Sequence, residues 1–135
     1  MKSWIAVISY EHALIASKLN ILQVCHGRKS PLIATNAGDE VFIYCPRTEM
    51  RAGKELKLIA FRCSFLNNDI YQFEQTPDFK PFRKDVIFDL DFIPKPIKDI
   101  KGLELTSNPN WGILARKGFF EITQHDANLI KSSKL

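Results

Sequence analysis

Six runs of apolar, β-branched and aromatic residues punctuate this chain, at positions 4–9 (WIAVIS), 41–45 (VFIYC), 57–66 (KLIAFRCSFL), 70–75, 82–89 and 118–122. Apolar, β-branched and aromatic content reads each as a strand, and turn residues bound most of them. Gly38 and Asp39 precede the second run. Asn67 and Asn68 make a hairpin turn between the third and the fourth, and Pro77 and Pro81 break the chain before the fifth. Pro46 is expected to end the second strand, and positions 51–54, with Gly53, to form a loop. In the run 82–89, alternation places Phe82, Lys84, Val86 and Phe88 on one face, and Arg83, Asp85, Ile87 and Asp89 on the other.

Helical signals are brief. Positions 11–19 (EHALIASKL) suit a short amphipathic helix, and 22–25 a further extended stretch closed by Gly27. Pro31 can open a single helical turn to Thr35. Pro94, Pro96 and Pro109 interrupt positions 92–110, leaving room for one turn at 97–100. Thr123 is a natural cap for a helix over 124–132, with Asp126 as a favourable acid in its first turn, and the tail 131–135 is expected to fray. The expectation is α+β: a strongly curved barrel of five to six strands with short flanking helices, whose mouth suits one small ligand.

With 135 residues, 45% of them hydrophobic, the chain can bury a core and is read as a single domain over 1–135. No run reaches membrane-spanning length, and the start MKSWIAVISYEH lacks the pattern of a signal peptide, so the expected location is cytoplasmic, with no membrane partner. The three cysteines (Cys25, Cys45, Cys63) are odd in number and widely spaced, which fits reduced thiols. No CxxC pair or histidine spacing suggests a metal, and none is expected. A net charge of +4 is compatible with a polyanionic partner engaged through a local basic patch.

Positions 71–86 (YQFEQTPDFKPFRKDV) interleave Tyr71, Phe73, Phe79 and Phe82 with Lys80, Arg83 and Lys84. Rings beside cations suit a surface that stacks flat bases and holds phosphates, and suit equally a core strand with a charged outer face. The loop 23–32 (QVCHGRKSPL) gathers a thiol, an imidazole, a glycine and two cations. Cys25 and His26 invite a thiol hydrolase or transferase reading. Adjacent residues on extended chain face opposite ways, however, and no nucleophile motif stands elsewhere. GxxxxGK[ST] and GxGxxG are absent, and Asp78, Asp85, Asp89 and Asp91 are explained by a solvated face. Nothing in the sequence signals an enzyme, and no cofactor is expected.

In order along the chain come W-I-x-V-x-S with E-H (Trp4 to His12), Q-V-C-H-G-x-K-x-P-L (Gln23 to Leu32), G-D with I-Y-x-P-x-T (Gly38 to Thr48), Y-Q and P-F-R-x-D-V (Tyr71 to Val86), and N-W-G, an arginine and G-x-F-E-I (Asn110 to Ile122). This succession resembles the EVE domain, a branch of the PUA-like superfamily related to YTH domains. The resemblance implies a PUA-like barrel with a pocket for one nucleobase, binding DNA or RNA that carries a modified base such as methylated or hydroxymethylated cytosine. It also implies a nuclease or restriction protein as a partner. By resemblance the pocket draws on Trp4, Ser9, Gln23, His26, Gly27, Lys29, Tyr44, Phe82, Arg83 and Trp111. Trp4, Tyr44, Phe82 and Trp111 are then candidate stacking faces, and Arg28, Lys29, Arg83 and Arg116 candidate phosphate contacts. On the residues alone, Trp4, Phe82 and His26 fit a structural role as well as a ligand-facing one. Cys45 stands where the family pattern has serine, which removes a hydroxyl from the expected pocket. A protein-interaction adaptor with a vestigial pocket remains a third reading beside the reader and the thiol enzyme.

Overall fold

The computed structural model describes residues 1–50 and 52–132. Arg51 of the expected loop and positions 133–135 of the expected frayed tail lie outside the described residues.

β1 (Ser3–Val7) runs parallel to β3 (Glu40–Glu49) and antiparallel to β8 (Phe119–Ile122), so the first apolar run is an interior strand, one in from the β8 edge. β3 turns back into β4 (Ala52–Phe65), which pairs with β6 (Phe82–Phe88), and β6 pairs with β2 (Ile21–Leu22). The spatial order is β2-β6-β4-β3-β1-β8; two-residue strands β5 (Tyr71–Gln72) and β7 (Lys95–Pro96) pair with β6 and β4. Five strands of four or more residues, with three two-residue strands among the described residues, make one curled α+β sheet.

Pro46 does not end its strand. β3 continues to Glu49, and the register shifts between Cys45 and Arg47, where the missing proline N–H costs no ladder bond. Within the expected loop at 51–54, β4 already begins at Ala52: Gly53, at φ 75°, lies where the register shifts between Arg47 and Glu49, and the Lys54 N–H donates to Thr48 Oγ1 at 2.9 Å. The sequence reading underestimated this hairpin because glycine and proline there serve bulges rather than breaks.

Strand parity divides the core in two. Trp4, Val41, Ile43 and Cys63 face one side, with Ala13 and Ala16 of α1 (Tyr10–Leu19) packed over them. Ile5, Phe42, Tyr44 and Ile59 face the other, against α3 (Glu104–Ser107), α4 (Trp111–Lys117) and α5 (Gln124–Ser132). α2 (Ser30–Ile33) is the single turn opened by Pro31. α3 and α4 were not anticipated, because Pro109 and Gly112 obscure a helix that Gly118 closes at φ 87°. Thr123 Oγ1 does cap α5, accepting the Asp126 N–H at 3.1 Å. Asp126 itself is buried and caps α3 through the N–H groups of Glu104 and Leu105, both at 2.9 Å.

Two buried carboxylates tie the N-terminus to the sheet. Asp39 accepts from the Lys2 N–H at 2.9 Å, the Asn36 N–H at 3.0 Å and the Trp4 indole at 3.1 Å. Glu40 accepts from Ser3 Oγ, Arg62 and Lys131. Burial raises both carboxyls, but these bonds outweigh it, and both are held below the usual range. A depressed folded pKa gives stability that is present above the unfolded value and lost as pH falls through the folded one. The urea midpoint is therefore expected to drop as pH falls below about 4.5. Asp39→Asn should lower the midpoint at neutral pH and flatten that acid limb, which urea titrations across pH would show.

Candidate nucleobase cleft

α1 presents His12, Ile15 and Leu19, a stripe at helical spacing, to an open cleft instead of to the core, with the core residue Ala16 at its floor. The cleft measures about 1140 Å³. Its other walls are the loop after β2, the start of the β3–β4 hairpin, the loop after β5, and the end of α4. Ile15, Leu19, Met50 and Phe73 stand exposed along it, a concentration of apolar surface that a water-filled hollow does not need. Arg28, Arg47, Arg83, Arg116 and Lys117 line it against the single carboxylate of Glu49, so its field is positive.

Arg83 is the best-defined group in this cleft. Only 5% exposed, it lies on the face opposite Lys84, and the loop after β5 folds over it. Its Cζ sits 4.2 Å from the centroid of the Phe73 ring. Nε donates to Gln23 Oε1 at 3.1 Å and Nη2 to Gln75 Oε1 at 3.5 Å, while Gln23 Nε2 donates to the same Gln75 oxygen at 3.1 Å. Tyr71, beside it, donates its hydroxyl to Asp85 at 2.6 Å. Among the described residues no carboxylate lies in ion-pair range of Arg83. Its charge is thus met by amides and a ring, and is left to act on whatever enters.

Cys25, His26 and Gly27 take successive positive φ values of 49°, 59° and 81°. This left-handed turn replaces the extended chain expected at Cys25 and is strained at two non-glycine positions. The Cys25 thiol donates to the Lys117 carbonyl at 3.3 Å and makes no bond to His26. Burial pushes this thiol up, with Arg28 and Lys117 pulling the other way, so at neutral pH it is a protonated group and a weak nucleophile. No group of three or more His, Cys, Asp and Glu among the described residues could hold a metal.

Of the expected pocket residues, Ser9, Gln23, His26, Gly27 and Arg83 line the cleft, as do Arg28 and Arg116. Ser9 also caps α1, its Oγ accepting from the His12 N–H at 3.5 Å. The expected stacking faces are elsewhere. Trp4 is buried, stacked on Phe119 at 5.0 Å, and its N–H is spent on Asp39. Tyr44 and Trp111 meet at 5.5 Å in the opposite core layer. Because Trp4 pairs with Val41, Tyr44 falls on the other face of the sheet, and no single pocket can use both rings. Phe82 lies outside the lining beneath Lys29, whose Nζ is 5.7 Å from the ring centre, so neither reaches the cleft. Phe73, Phe79 and Gln75 do reach it and were passed over, although the alternation of rings and cations at 71–86 pointed to their segment.

The chain matches no protein-family model. It is 34% identical over 124 residues to a UPF0310 protein of Streptococcus gordonii, covering 90% of this chain and 84% of that one. Among solved structures, Rpa0253 of Rhodopseudomonas palustris superposes with a TM-score of 0.61 at 15% identity, over 96% of this chain and 90% of the other. Human THYN1, solved in complex with 5-methylcytosine-containing DNA, superposes with a TM-score of 0.57 at 14% identity, over all of both chains. Both likenesses place the curled α+β sheet among PUA-like folds. With a third of its residues shared along most of its length, the chain belongs to the UPF0310 family.

Proposed function

We propose that this protein is an EVE-type nucleic-acid reader, a binding module without chemistry of its own, that takes one modified base extruded from its strand into the large cleft. The observation that carries this reading is the buried, carboxylate-free Arg83 laid on Phe73 between the amides of Gln23 and Gln75. A flat heterocycle entering there finds rings at Phe73 and Phe79 for its face, and amide and guanidinium groups for its edge. Arg28, Arg47, Arg116 and Lys117 then lie along the walls for flanking phosphates. The complex of THYN1 with 5-methylcytosine-containing DNA supports a methylated cytosine as the first base to try.

Competition binding with strands carrying cytosine, 5-methylcytosine, 5-hydroxymethylcytosine or N6-methyladenine, as DNA and RNA, tests the proposal. One modified base should bind in preference to its parent; equal, weak binding of all of them would return the question to a protein adaptor. In the same assay Arg116→Ala should weaken every strand alike and reduce the salt slope by about one. Cys25→Ser should leave binding unchanged, whereas a thiol enzyme would lose its activity outright.

A further inference from the structure

A second hollow, of about 390 Å³, lies beside the cleft. Its size falls in the range of roughly 300–1,000 Å³ typical of small-ligand sites. Trp4 and Phe119 form its apolar wall, and the exposed Glu121 lines it as well. The two hollows have Cys25, Arg28 and Lys117 in common, so these three residues form the ridge between them. Both cations therefore face each of the two hollows. Neither is in an ion pair among the described residues.

Resting on the base-cleft reading above, the geometry points to a two-nucleotide groove: the smaller hollow holds the base next to the extruded one, and their linking phosphate lies on the Arg28–Lys117 ridge. Charge sorts the parts. Two unpaired cations that border both hollows suit a phosphodiester, and the carboxylate lining the smaller one repels it, leaving that space to an uncharged ring. Ionised Glu121 only accepts hydrogen bonds, so it favours a neighbour with an exocyclic amine, such as cytosine, which offers its N4. Thymine presents its one N–H between two carbonyl oxygens that face the carboxylate unfavourably. The second hollow is therefore a selector of sequence context.

The test uses short single-stranded DNA with one 5-methylcytosine, whose neighbour on the 5′ or the 3′ side is cytosine, thymine or an abasic site. An abasic site on one side only is expected to weaken binding about tenfold, the loss of one stacked base. Cytosine at that side should bind more tightly than thymine, and Glu121→Gln, which can donate as well as accept, should bring the two toward parity. Arg28→Ala with Lys117→Ala should weaken intact strands and reduce their salt dependence. Abasic sites that matter on neither side, or a cytosine-to-thymine ratio unmoved by Glu121→Gln, would overturn the second hollow while the cleft reading stands. If strands with unmodified cytosine bind as well as those with 5-methylcytosine, the cleft reading falls and takes this inference with it.

Discussion

Gly27→Ala is expected to destabilise the protein by about 2–5 kcal/mol and to force apart the two loops that close the cleft. At φ 81° a side chain pays the left-handed penalty, roughly 1–2 kcal/mol. A methyl group there would overlap Pro81 Cβ, stand 2.8 Å from Pro81 Cα and reach Phe79 at 3.4 Å. Overpacking of that kind adds roughly 1–3 kcal/mol. The backbone of Pro81 cannot swing aside as a flexible side-chain tip would, because Phe73 N–H bonds the Pro81 carbonyl at 3.0 Å. Urea denaturation measures the loss. A change under about 0.5 kcal/mol, the size of an ordinary surface substitution, would mean that the two loops do not meet as described.

Arg83→Ala is expected to weaken binding of the preferred modified strand by about 30–100-fold, with Arg83→Lys failing to restore it. Hydrogen bonds to a charged group contribute roughly 1.5–3 kcal/mol each when the partner is buried. The guanidinium lies flat on Phe73 while it reaches Gln23 and Gln75, and lysine has neither the plane nor the fork to do both. Thermal unfolding of each variant separates lost recognition from lost folding. A lysine variant that folds and binds like the natural protein would show that a point charge suffices, and would remove planar recognition from the mechanism.

The sheet was largely legible because the strands declare themselves by β-branched and aromatic runs bounded by turn residues. Phe119–Ile122 and the helix Gln124–Ser132 with its Thr123 cap fell where the pattern put them. What the chain did not reveal depends on tertiary register. Whether Trp4 and Tyr44 share a face follows from the pairing of Trp4 with Val41, a contact 37 positions apart that no local pattern encodes. Arg83 reads as an outward residue by alternation, and only the loop after β5, folding back, buries it. Ser9, Gln23 and His26 came from the family resemblance alone; each stands outside the strands and long helices, where a polar side chain is free to line a hollow. Helix Trp111–Lys117 was missed, since glycine at its second position reads as a break until Gly118 is seen to close the turn.

The protein's two tryptophans also determine how it behaves in light. Trp4 is clamped between layers of the core, and Trp111 leans its edge on Phe120 from the far side of the sheet. Neither indole borders the large cleft. A base entering the large cleft alone therefore leaves intrinsic emission almost undisturbed, whereas a neighbouring base in the second hollow would meet Trp4 and change it. Phe73→Trp would add a third indole inside the cleft and give ligand entry a colour of its own.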